Sequence, residues 1–442
     1  MNAWYANLAN KRVLIVGCGA TGASAARFAA AAGAIVRVVD SRGVAPAAET
    51  LAAELPEVEI MTGGLPVEAL AGMDEIMVSP GVDLREPLIE AARTAGYEVV
   101  GDIEWFARCA AAPVIAITGS NGKSTVTAWT HAIARRGGIN AAIGGNFGTP
   151  ALDLLDADVE LYVLELSSFQ LALCDSLAPS VATVLNLSPD HIDRHGDFAA
   201  YAAAKARIFT RAETALVNTD DGPAAELAAG HANVVSFGTH AEADYRLAES
   251  GLVHGDTHGP ALADIALPGR HNALNAAAVW ALADAVGLAP DAIQAGLRVF
   301  DGLAHRCQQV AEIAGVRYVN DSKGTNLGAM LASLSGMDAP VVLLAGGQGK
   351  GPDFSPLGPV AAEKARAVIV FGEDGARIAA AVAGHAPVYT ARDLASAVAR
   401  GADIAEPGDV VLLSPGCASF DQFAGYADRG DAFVRYVQER AA

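Results

Sequence analysis

The sequence predicts an α/β protein of three domains: N-terminal Rossmann-like, central P-loop-type ATPase with a parallel sheet, and C-terminal Rossmann-like. Three observations carry that prediction. Short runs of Val, Ile and Leu recur along the chain between alanine-rich stretches of helical spacing, the pattern of parallel strands covered by helices. Two glycine-rich turns, Gly17-Cys-Gly19-Ala-Thr-Gly22 and Gly119-Ser-Asn-Gly122-Lys123-Ser124, each follow such a run and open a helix. Finally, 442 residues are more than one ordinary core serves. The expected boundaries are 1–100, 101–302 and 303–442.

Composition narrows the classes. With 52% hydrophobic and 18% charged residues the chain is not disordered. A net charge of −20 argues against broad binding to nucleic acid or anionic membranes, so an anionic substrate needs a local basic site. The five cysteines are widely spaced without a CxxC pair, which fits unpaired thiols in a reducing cytoplasm. No apolar run approaches the length of a membrane span. Lys11-Arg12 before the apolar stretch ending at Cys18 resembles a short lipoprotein signal, but the apolar core is too brief and runs on into a βαβ unit.

In the first domain, residues 12–16 form a strand, the Gly17–Gly22 turn opens a helix that Gly33 caps, and residues 35–39 form a second strand ending in Asp40. This is the dinucleotide-binding fingerprint with an acidic residue at about the right distance. It records a backbone shape that receives pyrophosphate, so NAD and a UDP-sugar both fit. Residues 75–78 make another strand, leading to Ser79-Pro80-Gly81, and Val99-Val100 ends the domain.

The central domain is built on residues 114–125, VIAITGSNGKST. A buried strand runs into a tight turn, and a helix follows from Lys123 to the Gly137-Gly138 stop. The N–H groups of Gly119, Ser120, Asn121 and Gly122 and the helix dipole face an anion. Lys123 neutralises charge, the Ser124 hydroxyl can sit on Mg²⁺, and Thr125 follows. Only two residues separate the glycines, where the general P-loop has four. Residues 140–143 form a strand opening into a loop with Asn146. The strand at 161–165 ends in Glu165, placed to hold Mg²⁺ or to sit in an ion pair, with Ser167-Ser-Phe-Gln after it. The strand at 181–185 delivers Asp190, His191, Asp193 and His195, a set able to bind metal or move protons. Lys205, on a helix spanning 198–209, reads as a solvated lysine. Asn272 and Asn275 open an alanine-rich helix, where their amides recognise a base or Asn272 serves as an N-cap.

The last domain has strands at 316–319, 341–345, 367–371, 388–389 and 410–413, a second doubly wound sheet with polar loops at its strand ends. Those loops are Asn320-Asp-Ser-Lys-Gly-Thr-Asn326, Gly346-Gly-Gln-Gly-Lys350 and Ser414-Pro-Gly-Cys-Ala-Ser419.

In order, TGSNGKST, LELSSFQL, NLSPDHIDRHG, GRHNALN, GLAHR and NDSKGTN resemble the Mur ligase family of cell-wall synthesis, over nearly the whole chain. LSPGCASFDQF, with Lys350 upstream, is most similar to the glutamate-adding branch. The resemblance implies a cytoplasmic, monomeric ATP-dependent amide ligase that joins D-glutamate to UDP-N-acetylmuramoyl-L-alanine through an acyl phosphate, without nucleic acid or membrane insertion. It moves the N-terminal fingerprint from NAD to uridine diphosphate, held by Gly19, Ala20, Thr21, Asp40, Ser41 and Arg42. Lys205 matches a lysine carried as a carbamate formed with CO₂. Glu165 and His191 match metal ligands that, with Ser124 and the modified Lys205, would serve two Mg²⁺ ions; with Lys123 these form the expected catalytic set. Asn272, Asn275, Arg306 and Asp321 match nucleotide contacts, the last two from a domain that closes over ATP. Asn146 and Ser167 are expected on the substrate side, and Lys323, Thr325, Lys350, Ser419, Phe420 and Tyr426 around the incoming amino acid. Gln348 and Tyr426 depart from the family pattern, which favours an acidic residue and a phenylalanine there. Three other readings compete: a related ligase such as a folylpolyglutamate synthetase, a non-catalytic nucleotide-binding protein, and an NAD-dependent dehydrogenase. The last leaves TGSNGKST and the DHIDRH loop without a role.

Overall fold

The computed structural model describes residues 3–267, 269–349 and 353–441. It divides into two compact units. One comprises Met1–Leu262 with Ala276–Arg298, the other Ala263–Asn275 with Val299–Ala442.

The first unit holds two sheets. The first is wholly parallel, in the order Glu59–Thr62, Ile35–Asp40, Arg12–Val16, Glu75–Val78, Val99–Val100. Its central strands are buried on both faces, which is why they read as unbroken aliphatic runs. Val16 pairs with both Val39 and Val78, so the Gly17–Gly22 turn, Asp40 and Ser79 leave the sheet at one edge. At Gly22 an added Cβ would stand 1.8 Å from the Gly17 carbonyl oxygen, so only glycine lets the helix Ala20–Ala31 approach this turn.

The second sheet centres on Val114–Thr118, with Leu161–Glu165 and Ala141–Gly145 on one side and Val181–Val184, Thr214–Asn218 and Val234–Gly238 on the other, all parallel. Ile117 lies opposite Glu165 and Thr118 opposite Val184, so the loops after these three strands emerge side by side. The expected strand at 140–143 lies at Ala141–Gly145, continuing through the two glycines because Gly145 pairs with Glu165. An antiparallel extension, Tyr245–Ala248, Gly251–His254 and Thr257–His258, was not expected. Its strands are only two to four residues long, too short for their alternation to be read from sequence.

In the second unit the order is Gln308–Ile313, Val316–Asn320, Val410–Leu413, Val341–Gly346, Ala365–Phe371, Val388–Thr390. All pairs are parallel except the Gln308–Ile313 edge, which was also unanticipated. Asn320 and Leu344 both lie opposite Leu413, again gathering three loops at one edge.

The helix Asp102–Cys109 begins with a wholly buried carboxylate, Asp102, which accepts a 3.1 Å hydrogen bond from Gln170 Nε2. Burial raises its pKa from 3.8 to about 6 against that bond. Between these values the folded chain holds a proton that the unfolded chain has lost, so this group's contribution to stability falls as pH rises from 4 to 6. Asp102→Asn should remove that slope and raise stability at pH 7.5 by up to about 3 kcal/mol, measurable as urea midpoints at pH 5 and 7.5.

Candidate active site

The loop after Val114–Thr118 is shaped by its glycines. Gly119 has φ +150° and passes against Leu185 and Asn186, while Gly122 is left-handed at φ +80° and starts the helix Lys123–Arg136. The loop is closed by a reciprocal amide pair: the Asn121 N–H donates to Asn186 Oδ1 at 2.8 Å, and Asn186 Nδ2 donates to the Asn121 carbonyl at 3.0 Å. Ser120 Oγ donates to the Ser188 carbonyl at 2.9 Å and lies 3.0 Å from the Tyr201 hydroxyl. Thr125 is buried on the helix. Lys123 Nζ donates to the carbonyls of Gly119 (2.9 Å) and Ser120 (3.0 Å), which keeps the ammonium at the loop.

Glu165 is buried beside this loop. It accepts hydrogen bonds from the Ser124 hydroxyl and, at 2.6 Å, from Asn146 Nδ2. The Ser124 hydroxyl and the Glu165 carboxylate are hard oxygen donors of the kind Mg²⁺ takes.

Lys205 is not the solvated lysine expected from its sequence, being only 2% exposed. Its Nζ donates to Thr118 Oγ1 at 3.0 Å and to the same Gly119 carbonyl at 2.9 Å, and lies 4.9 Å from the Tyr201 ring centre. Burial first, then the charge of Lys123, hold its pKa well below the ordinary lysine value. The same burial favours the uncharged amine over the ammonium.

The Asp190–His195 loop does not act as one cluster. Among the described residues no group of three or more His, Cys, Asp or Glu side chains is arranged to hold a metal ion. His195 Nε2 lies 2.9 Å from Ser168 Oγ and its ring stacks on Phe169. His191 is left-handed at φ +55°, with Nε2 3.7 Å from Asp190 and its ring edge-on to Phe169. Ser167 N-caps the helix Ser168–Leu171 in a capping box with Gln170.

Gly19, Ala20, Thr21, Asp40, Ser41 and Arg42 all line one cleft of about 440 Å³, with Ser79, Pro80 and Gly81 opposite. Asp40, the acidic residue that the NAD reading assigns to a ribose, is engaged within the protein. Asp40 is buried and accepts from the Cys18 N–H (2.7 Å) and from Arg42 N, Nε and Nη2 (2.9, 2.9 and 2.7 Å), with Arg42 first among the causes holding its pKa at about 2. Arg194 also lines the cleft, donating to the Gly81 and Val82 carbonyls at 3.1 and 2.7 Å. Sequence reasoning missed it because its partners are backbone atoms more than a hundred residues away.

In the second unit Asn272 is buried within the helix Arg270–Ala285, so the N-cap alternative does not hold; its Oδ1 accepts from Asn275 Nδ2 at 3.3 Å. Asp321 is buried and accepts from the hydroxyls of Ser333 (2.7 Å) and Ser414 (2.8 Å), while burial raises its pKa. Arg306 is half-buried two residues from the antiparallel edge strand. Lys323 Nζ sits 3.9 Å from the Tyr426 ring centre, and the Thr325 N–H donates to the Lys323 carbonyl. Ser419 is buried and Phe420 is 69% exposed. Lys350 lies outside the described residues. A further cleft of about 560 Å³ opens around Phe371–Ala376 and Thr390–Arg392, and none of the expected site residues line it.

Comparisons with known proteins agree on one family. A model described as the Mur ligase middle domain matches residues 117–283, the MurD-like N-terminal domain matches 11–101, and the Mur ligase glutamate ligase domain matches 305–417. The chain is 47% identical to the UDP-N-acetylmuramoylalanine--D-glutamate ligase of Alcanivorax borkumensis, covering 96% of this chain and 98% of that protein. It is 45% identical to the protein of the same name from Pseudomonas aeruginosa, covering 97% and 98%. Among solved structures it is similar in fold to the UDP-N-acetylmuramate-alanine ligase of Thermotoga maritima (TM-score 0.62, 17% identity, 97% of this chain and 99% of that one). It is equally similar to a pseudomurein peptide ligase type C from Methanothermus fervidus (TM-score 0.63, 17% identity, 98% and 100%).

Proposed function

The chain belongs to the Mur ligase family, and from that premise we propose that it joins D-glutamate to UDP-N-acetylmuramoyl-L-alanine at the expense of ATP, in cytoplasmic peptidoglycan precursor synthesis. The observation that carries the chemistry is the convergence of Lys123, Glu165 and the buried Lys205 around the Gly119 loop. Residues 1–100 are assigned to the uridine diphosphate, 101–302 to ATP and 303–442 to the amino acid, and the chain works as a monomer.

A carboxylate is a poor acyl donor because oxide would have to leave. In the proposed reaction a carboxylate oxygen of the substrate's alanine attacks the γ-phosphorus of ATP, giving an acyl phosphate and ADP. The amine of glutamate then attacks the acyl carbon. The C–O bond to phosphate breaks, phosphate leaves, and the amine loses its proton as the amide forms. Lys123 and the N-terminus of the helix Lys123–Arg136 hold the transferring phosphoryl group, since the Ser120 and Asn121 N–H groups are taken by Asn186. Ser124, Glu165, His191 and Lys205 would hold two Mg²⁺ ions, which supply charge neutralisation when bound. For Lys205 this requires its neutral lone pair to attack CO₂, forming an N–C bond and releasing a proton, which converts a buried amine into an anion. Asn272, Asn275, Arg306 and Asp321 serve the nucleotide. Lys323, Thr325, Lys350, Ser419, Phe420 and Tyr426 surround the amino acid, the cations and hydroxyls binding its carboxylates.

The test is phosphate release from MgATP with UDP-N-acetylmuramoyl-L-alanine, with D- or L-glutamate in separate reactions. Release that requires both partners and prefers the D isomer is expected. ATP binding without release for either isomer would overturn the assignment.

A further inference from the structure

The helix Tyr426–Ala441 carries Arg429, whose side chain is completely buried in the second unit. Its Nε donates to Ser322 Oγ at 3.0 Å, and Nη2 donates to the carbonyls of Ser322 (2.9 Å) and Cys417 (3.1 Å). Nη1 donates to the Ala418 carbonyl at 3.3 Å. One planar fork therefore joins the Asn320–Asn326 loop to the Ser414–Ser419 loop. A third loop is tied in at the same point, because Gln348 and Ala418 exchange two 2.9 Å backbone hydrogen bonds.

The chemistry of this clamp is unusual. Among the described residues no carboxylate lies within ion-pair distance of Arg429, and every partner is a neutral oxygen. Burial lowers its pKa only to about 10, so it stays charged at neutral pH. A buried guanidinium with no carboxylate in contact, only the more distant charges of Asp421 and Asp321, is costly, and a neutral side chain of similar size would fill the space more cheaply. What a charge adds is a field that acts on the loop ends through a weakly screening interior. Those ends carry Lys323, Thr325 and Ser419, the groups assigned above to a substrate with two carboxylates.

We propose that Arg429 is a positioning residue for the incoming amino acid, aligning these loops and supplying the buried positive potential that favours a dicarboxylate. The inference rests on the ligase reading. Full-length Arg429→Lys and Arg429→Met variants should be compared with the wild type by KM for D-glutamate, ATP and UDP-N-acetylmuramoyl-L-alanine, together with thermal midpoints. Lysine keeps the charge but cannot make the fork, so KM for D-glutamate should rise about tenfold; methionine loses both and should raise it about a hundredfold. KM for the other two substrates should stay within about twofold. Should the methionine variant fail to fold, Ser322→Ala, which removes the Nε acceptor together with the hydroxyl's bond to the Tyr426 carbonyl, should still raise KM for D-glutamate about threefold. An unchanged KM for D-glutamate, or three KM values rising together with a lowered thermal midpoint, would reduce Arg429 to a structural peg and overturn the proposal. A wild-type chain that releases no phosphate with either glutamate isomer refutes the ligase reading itself, and this inference with it.

Discussion

Lys123→Met should lower substrate-dependent phosphate release by at least about a thousandfold while leaving the thermal midpoint nearly unchanged. The two expectations separate because of how the loop is built. Its backbone path is set by Gly119, by left-handed Gly122 and by the Asn121–Asn186 amide pair, none of which needs the lysine side chain. The ammonium donates to two carbonyls of the loop it serves. Removing it leaves the cradle standing but takes away the cation that offsets charge on the phosphoryl group in flight. Lys123→Arg should fare little better, since a planar fork does not replace a compact ammonium in so tight a turn. Single-turnover phosphate release combined with ATP binding checks this. A methionine variant with more than a tenth of wild-type turnover would show that the loop binds phosphate without Lys123 taking part in transfer.

Lys205→Met should also reduce phosphate release by about a thousandfold or more, yet make the protein more stable near neutral pH. The folded chain keeps this amine away from water, with its pKa well below 10.5. Between that lowered value and 10.5 the folded chain has released a proton that the unfolded chain still binds. Stability from this group therefore rises with pH up to about 10.5, and at pH 7 the group is a burden. Methionine carries no proton in either state and should remove both the slope and the burden. Denaturation midpoints at pH 7 and pH 9 for the two proteins test this directly. The proposed carbamate adds a separate signature: wild-type turnover should fall in CO₂-depleted buffer and recover with bicarbonate, while the variant's residual rate responds to neither. Turnover indifferent to CO₂ would remove the carbamate from the mechanism without touching the role of Lys123.

Much of the candidate site was legible because it is local. A strand, a glycine turn and a helix start are consecutive in sequence, and their hydrogen-bonding and steric demands fall on adjacent residues, so Gly17 to Gly22 and Gly119 to Ser124 announce themselves. Glu165 was legible for the same reason, as a carboxylate ending an apolar strand. Lys205 was a failure of reading with a signal present. Phe198 and Tyr201 lie seven and four residues before it and Phe209 four after, which puts Lys205 on the apolar face of the helix, where Tyr201 is indeed buried beside it. Only the family resemblance drew attention to it. Asp40 was seen, but two residues of separation gave no warning that Arg42 would engage its carboxylate.

What the sequence by itself determined is the class of the protein: parallel sheets between helices, a phosphate loop with an ionic partner at the next strand end, and membership of a ligase family through ordered motifs. Those features are one-dimensional, since hydrophobic period, turn chemistry and motif order are properties of neighbouring residues. The tertiary structure alone decided which polar groups are spent and which remain. It turned Lys205 from a surface cation into a buried amine, gave Asp40 to Arg42, sent His195 to Ser168, and set Arg429 beneath loops about a hundred residues upstream and a dozen away. Burial and long-range hydrogen bonding depend on which strands become neighbours, and sheet order is not encoded in any single stretch of the chain.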